Sequence, residues 1–126
     1  MLAIRDELVK RGDKCTIIAT SKSSAISPEP NVFHPKSPAE LIKIARSIDF
    51  DVLHLHVGGD LNRRVFALAT AATTIAGRKS VLTVHSGAFP LTPEAKAART
   101  ASIRGLIFRR FGRLIAVNDE LADVFA

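Results

Sequence analysis

The chain alternates between short, continuously apolar runs and longer stretches in which apolar side chains recur with helical spacing. The apolar runs, at residues 14–20, 51–57, 80–85 and 113–117, have the length of buried strands, and a brief extended segment is expected at 31–34. The helical stretches lie at residues 4–11, 38–48, 62–76, 92–111 and from 118 onward. Strands that alternate with helices are typical of a parallel sheet. The pattern predicts an α/β fold, a Rossmann-like parallel sheet with helices on both faces.

Local signals mark where several of these helices begin and end. Ser37, Pro38 and Glu40 form a capping box with proline in the first helical position. Gly12 is expected to end the first helix, because glycine readily adopts the left-handed conformation of a helix end. The helical stretch that starts at residue 92 is expected to break near 100–102 and to resume directly afterwards.

The order of elements at the start of the chain departs from that of a doubly wound sheet. Such a sheet begins with a strand that lies at its centre, whereas this chain begins with a helix. We therefore expect residues 1–126 to form a single, partial domain whose first, central strand is missing. The strands at 14–20 and 51–57 would flank that strand, so they must pair with each other or leave exposed edges. Exposed edges favour self-association.

Basic residues outnumber acidic ones. The chain has 18 lysines and arginines against 12 acids, a formal charge of +6 and a pI near 10.1. This excess attracts phosphate groups, whether they belong to a small molecule, a lipid or a nucleic acid. Nucleic acid is not expected as a partner, because the chain has no Trp or Tyr to stack on bases and no recognisable nucleic-acid-binding motif.

The segment 96–113 places arginines among large apolar side chains. Two interpretations remain open: an amphipathic helix that lies on an anionic membrane surface, or a helix with its apolar side in the core and its arginines in water. No secretory signal begins the chain, and a single cysteine, Cys15, fits a reducing compartment. We therefore expect a cytoplasmic protein, with peripheral contact at the inner face of the membrane as an alternative.

Polar and flexible residues follow three of the predicted strands. Ligands bind outside the carboxyl ends of the strands in open α/β sheets, so these residues define the candidate site. They are His54, His56, Gly58, Gly59 and Asp60 around the end of one strand, His85, Ser86 and Gly87 after the next, and Asn118 after the last. The glycine pair allows a ligand to approach the backbone, but the chain has neither a G-x-G-x-x-G nor a Walker A motif.

The histidines allow three interpretations. His54 and His56 share one face of their strand, so with Asp60 and His85 they are a candidate set for zinc or another divalent ion. Alternatively, His56 and His85 hydrogen-bond a polar ligand, a role that suits neutral imidazole near physiological pH. For His54, which lies deeper in the strand, we favour a third interpretation, a core histidine with its hydrogen bonds satisfied.

Three strand-end sequences resemble the N-terminal domain of family 4 glycosyltransferases of the GT-B fold. They are D-V-L-H-L-H at 51–56, S-V-L-T-V-H-S-G at 80–87 and R-L-I-A-V-N at 113–118. The helix that ends in E-L-V-K-R-G at 7–12, followed by the strand from residue 14, is similar to the opening of that domain. The resemblance covers nearly the whole chain, and the order and spacing of the motifs carry it.

The resemblance implies roles for individual residues. His85 matches the histidine of the family's T-x-H segment and would face the transferred sugar or the acceptor, as the candidate catalytic residue. The acceptor side would be lined by His56, Gly58, Gly59, Asp60, Ser86 and Gly87. Asn118 stands where the family usually has serine, and helix capping explains it equally well. The parent enzyme would move a sugar from a nucleotide-sugar donor to an acceptor in carbohydrate biosynthesis, with retention at the anomeric carbon, and would need no metal or cofactor.

The resemblance also implies that a glycine-rich loop and a second, donor-binding domain lie outside this chain. The donor phosphates would then have no binding site, so we expect no transferase activity from the chain alone. Two other functions remain as alternatives. One is a metal-dependent hydrolase built on His54, His56, Asp60 and His85, and the other is a non-enzymatic module that binds a phosphorylated ligand.

Overall fold

The computed structural model describes residues 2–20, 29–59, 61–86, 89–96 and 101–125, apart from the side chains of Leu2 and Glu94. Helices and parallel strands make the protein a mixed α/β one, which confirms the predicted class. The chain divides into two compact units, Met1–Ile48 and Asp49–Ala126. No helix in the described part of the chain is long and apolar enough to cross a membrane.

The first unit contains helices and a short parallel ladder. Its elements, in chain order, are α1 (Leu2–Lys10), β1 (Ile17–Ile18), β2 (Val32–Phe33) and α2 (Pro38–Ser47). Strands β1 and β2 pair in parallel along the whole of their two-residue length. Helix α1 is followed by Gly12, whose φ of +91° is the left-handed conformation predicted for a helix end.

The predicted capping box opens α2. The Ser37 hydroxyl accepts a hydrogen bond from the Glu40 amide at 3.2 Å, and Pro38 lies in the first turn. The Glu40 carboxylate accepts a hydrogen bond from the Lys36 amide at 2.7 Å. Ser37 thus pairs one backbone donor that the helix itself cannot satisfy, whereas Glu40 pairs the amide of the residue before the cap instead of that of Ser37. The helix begins where the sequence predicted.

The second unit is built on a parallel sheet. Its elements are β3 (Leu53–Val57), α3 (Arg63–Ala76), β4 (Ser80–Val84), α4 (Pro93–Lys96), α5 (Ile103–Phe108), β5 (Arg113–Ala116) and α6 (Asp119–Phe125), with 3-10 turns at Gly77–Lys79 and Phe89–Leu91. Strand β4 lies between β3 and β5, and all three run in the same direction. Because β4 has a partner on both sides, it is the central strand of this sheet.

The hydrophobic core of the second unit lies on one face of this sheet. The register places Leu55 beside Leu82, so their side chains point to the same face. The described helices add Val65, Ala69, Ala72, Ala95, Phe108 and Leu121 to this core. The alternate residues of β3, His54 and His56, therefore point to the opposite face. We predicted helices on both faces of the sheet. The described helices of this unit contribute side chains to the core on one face only.

We predicted one continuous sheet, but the strands of the described residues lie in two small sheets. The strand expected at 14–20 is only Ile17–Ile18, and its partner is Val32–Phe33 rather than β3. Among the described residues, β3 is therefore an outermost strand of its sheet. A strand depends on its partner as much as on its own apolar pattern, so a run with a two-residue partner forms only a two-residue ladder.

Polar side chains cap the helices of the second unit. Asn62 accepts hydrogen bonds from two backbone amides at the start of α3. Ser102 accepts a hydrogen bond from the Gly105 amide at 3.1 Å and begins α5. This cap confirms the predicted point of resumption, although residues 97–100 lie outside the described part. The helix ends earlier than predicted, at Phe108, and a turn leads into β5.

Gly112 permits a close approach between two backbone segments. A Cβ atom at this position would lie 1.9 Å from the carbonyl oxygen of Arg78. The Gly112 amide donates a hydrogen bond to the Ser80 carbonyl at 2.8 Å, which holds the start of β5 against the start of β4. Only a residue without a side chain allows this contact.

Candidate binding site at the sheet edge

The parallel register brings three of the predicted strand ends to one edge of the second unit's sheet. Val57, Val84 and Ala116 lie side by side on β3, β4 and β5. The residues that follow them in sequence therefore emerge at the same edge. These residues include Gly58 and Gly59, His85, and Asn118. The arrangement meets the geometric condition for a shared binding crevice.

His56 and His85 form a hydrogen-bonded pair at this edge. The Nδ1 atom of His56 is 3.2 Å from the Nε2 atom of His85, and the two rings are inclined by only 13°. The backbone supports this pairing, because the His85 amide donates to the Val57 carbonyl at 2.8 Å. One ring nitrogen donates and the other accepts, so a single proton lies between them when both imidazoles are neutral.

His54 extends this cluster along β3. Its ring centroid is 4.0 Å from that of His56, and its Nε2 atom is 2.7 Å from the hydroxyl oxygen of Thr83. Its predicted hydrogen-bonded state is therefore confirmed. Its predicted place in the core is wrong, because His54 is exposed while its neighbours Leu53 and Leu55 face the core.

The surroundings of His54 and His56 disfavour their protonated forms. Partial burial, followed by the neighbouring charges of His54 and His85, lowers the pKa of His56 to about 4. Although the His54 side chain is exposed overall, desolvation by the atoms packed around its ring, followed by the charge of His85, also lowers its pKa below the ordinary value of 6.5. A proton on His56 would place its charge beside the neighbouring rings, which disfavours that protonated form. At pH 7 His56 is neutral and can both donate and accept a hydrogen bond.

The backbone that follows β3 is open. Gly58 and Gly59 are exposed, and a Cβ atom at either position would meet no other atom within 4 Å. Gly59 has a φ of +78°, a left-handed conformation that favours glycine. A ligand can therefore approach this stretch of backbone closely. Two other predicted site residues, Asp60 in the loop after β3 and Gly87 in the loop after β4, lie outside the described residues.

Ser86 and Asn118 hydrogen-bond the backbone of the loops around this edge. Ser86 is buried, and its hydroxyl accepts from the Phe89 amide at 3.2 Å. The Asn118 side chain accepts from the Leu121 amide at 2.9 Å, at the start of α6. Helix capping, the alternative considered for Asn118, thus accounts for its position. Direct contact between either residue and a substrate stays a prediction.

The described side chains give the metal interpretation no support. Among them, no group of three His, Cys, Asp or Glu residues is arranged to hold a metal ion. The nitrogens of His56 and His85 that face each other share a hydrogen bond, which uses a lone pair that a metal would need. Because Asp60 lies outside the described residues, the complete predicted ligand set stays a prediction.

Thr83 was not among the predicted site residues, yet it holds the ring of His54. It is buried and lies opposite His56 in the register of the sheet. The sequence could have indicated Thr83 as a site residue, because it lies two residues before His85 and the alternation of side chains along a strand puts both on one face. The contact with His54 was not derivable, because it depends on how β3 and β4 align.

Comparison with known proteins assigns no family to the chain. No protein-family model, no curated protein and no solved structure matches it.

Proposed function

We propose that this sheet edge binds a sugar or a sugar acceptor, as the acceptor-side, Rossmann-like part of a glycosyltransferase that uses a nucleotide-sugar donor. The observation that carries the proposal is the His56–His85 pair at the carboxyl ends of two adjacent parallel strands. Parallel α/β sheets bind their ligands at that end. A paired donor and acceptor also suits carbohydrate hydroxyl groups, each of which donates and accepts hydrogen bonds.

In this proposal His85 contacts the carbohydrate and His56 positions His85. Because the pKa of His56 is about 4, His56 is uncharged at pH 7, and its Nδ1 atom shares a hydrogen bond with the Nε2 atom of His85. When the Nε2 atom of His85 donates that bond, its Nδ1 atom carries a lone pair that accepts from a ligand hydroxyl. His85 thereby orients the acceptor hydroxyl or the transferred sugar, and it does not act as a covalent nucleophile.

The glycine pair after β3 provides the space for this ligand. No atom lies within 4 Å of where a side chain at Gly58 would begin, so Gly58→Val fills open space without disturbing the core. We expect this variant to lose carbohydrate binding and to keep its stability. Gly59 is less suitable for this test, because a side chain at its φ of +78° is strained whatever space surrounds it.

Histidine NMR tests the proposal on the chain itself. The chain is labelled with nitrogen-15 in its imidazoles and titrated with methyl glycosides of common hexoses, then with uridine and guanosine diphosphate sugars. We expect saturable shifts of the His56 and His85 signals. His85→Ala should abolish the response of His56.

Two comparisons make the result decisive. Val52→Ser should bind as the parent chain does, because Val52 is exposed and precedes β3, at the opposite end of that strand from the candidate site. Inorganic phosphate tests the alternative of a module for phosphorylated ligands. The proposal is overturned if no glycoside or nucleotide-sugar moves the His56 and His85 signals, or if inorganic phosphate alone produces the same shifts.

A further inference from the structure

We propose that the outer surface of α5 docks onto an anionic membrane surface. This surface, the α5 patch, consists of Ile103, Leu106, Arg109 and Arg110. Ile103 is 79% exposed and Leu106 is 53% exposed, and both arginines are also exposed. Large apolar side chains beside basic ones are the composition of protein surfaces that lie in the interface of an anionic bilayer.

The packing of α5 determines which of its sides faces outward. Phe108 is buried, and its ring centroid is 5.4 Å from the ring of Phe66 and 5.4 Å from that of Phe125. Successive helical residues are about 100° apart, so Ile103 and Leu106 lie about 140–160° from Phe108 around the axis. The α5 patch therefore projects away from the core to which α5 is anchored.

The segment that contains the α5 patch carries charged side chains of one sign. Residues 96–113 include no acid and six basic residues, which are Lys96, Arg99, Arg104, Arg109, Arg110 and Arg113. Arg104 lies over the ring of Phe66, at 5.0 Å from its centroid. Among the described side chains, neither Arg109 nor Arg110 takes part in an ion pair. Both charges are therefore available to the phosphates of a bilayer.

A lipid surface fits this patch better than the other abundant polyanion, nucleic acid. Phosphate contacts to nucleic acid would use the arginines but leave Ile103 and Leu106 in water, and the chain has no Trp or Tyr for base stacking. A bilayer interface accepts the apolar side chains among its acyl chains and the arginines among its headgroups. The inference does not depend on the proposed sugar site, because it uses none of the histidines.

Vesicle sedimentation tests the inference with the purified chain. The vesicles are sucrose-loaded and contain phosphatidylcholine alone or phosphatidylcholine with phosphatidylglycerol. We expect binding only with phosphatidylglycerol, and weaker binding as salt is added.

Arg109→Gln combined with Arg110→Gln should weaken partition into these vesicles roughly 30-fold, since each basic residue near an anionic surface contributes about fivefold. Ile103→Ser combined with Leu106→Ser should weaken it roughly tenfold or more at unchanged charge.

Matched variants elsewhere on the surface serve as controls. Val52→Ser removes an apolar side chain that is 58% exposed but lies before β3. Lys10→Gln combined with Lys79→Gln removes two exposed basic charges that lie outside the segment 96–113. Both controls should retain binding close to that of the parent chain, with circular dichroism showing that every variant is folded.

A fluorescent variant keeps the test valid even if the serine double variant fails to fold. The chain has no Trp, so Ile103→Trp introduces a unique probe at an exposed position. Its emission should shift to shorter wavelength with phosphatidylglycerol vesicles and be quenched by brominated lipid, whereas Val52→Trp should show neither effect. Equal binding to both kinds of vesicle, an unchanged Ile103→Trp emission, or binding to RNA of random sequence without binding to vesicles would overturn the inference.

Discussion

The two compact units of this chain differ in how they are held together. In the first unit, the buried apolar residues are Ile17 and Ala45 among those described, and the second unit buries a cluster of twelve. The three ion pairs between described residues all belong to the first unit: Arg5–Asp6, Arg5–Glu29 and Arg11–Glu7. Among the described residues, the first unit thus has ion pairs but few buried apolar side chains. In the second unit, helices and strands pack around a hydrophobic core.

This difference explains where the candidate site lies. Burial of apolar surface contributes far more to stability than exposed ion pairs do. A site needs side chains that are held in place by packed elements, and His56 and His85 are on or directly after strands whose other face is the core. The contrast between the units predicts how strongly substitutions in each should act.

The largest effect is expected from Leu82→Ala on the central strand β4. Leu82 is fully buried, and truncation leaves a cavity that costs about 4 kcal/mol of unfolding free energy. The midpoint of urea denaturation measures the loss, with exposed Val52→Ala as the control of similar chemistry. A loss no larger than that of the control would mean that the second unit lacks the rigid core described here.

Gly112→Ala should have the next largest effect. Its new Cβ atom meets the carbonyl oxygen of Arg78 at 1.9 Å, so the contact between the starts of β4 and β5 must open. A backbone shift of this kind costs about 3 kcal/mol. Urea denaturation checks the prediction, and Gly58→Ala, which enters open space, is the matched control. Similar midpoints for the two variants would contradict the close approach.

The pH dependence of stability should show a smaller effect of the histidine cluster. Unfolded His56 titrates near 6.5, whereas its folded pKa is about 4. Between these values the unfolded state binds more protons, so stability should fall as the pH decreases from 6.5 to 4 and change no further from this cause below 4. The lowered pKa of His54 acts in the same direction. His56→Gln should reduce the slope in urea midpoints across this window.

Val52→Ser is the control for that experiment, since it replaces an exposed side chain that does not titrate. It should leave the slope between pH 4 and 6.5 close to that of the parent chain. A slope that His56→Gln leaves intact, or that Val52→Ser reduces as much, would show that the neutral state of His56 is not the cause.

The smallest effect is expected from Glu7→Gln in the first unit. The Arg11–Glu7 pair spans 3.5 Å, and both side chains are exposed. Exposed pairs one helical turn apart contribute about 0.3 kcal/mol. The variant should therefore differ from the parent chain by less than the scatter of urea midpoints, and high salt should remove even that difference. A clear destabilisation would show that surface charge matters more in the first unit than the comparison indicates.

Much of the local structure was predictable because it depends on neighbours in sequence. Ser37 with Glu40, Ser102 and Gly12 all act within one helical turn, and each begins or ends a helix as predicted. The strands at 53–57 and 80–84 were also placed closely, because their apolar runs are long and have turns on both sides. The length of the strand at 14–20 was predicted wrongly, because it depends on the partner strand Val32–Phe33, which has only two residues.

By itself, the sequence determined the class of fold, most helix ends and the candidate residues at the strand ends. Only the tertiary structure decided which of these residues meet. The alignment of β3 with β4 pairs His56 with His85 and places Thr83 against His54. Each of these two contacts joins residues that lie 29 positions apart in the chain. The reason is that strand register arises from the packing of a whole face, and no pattern within a single strand specifies it.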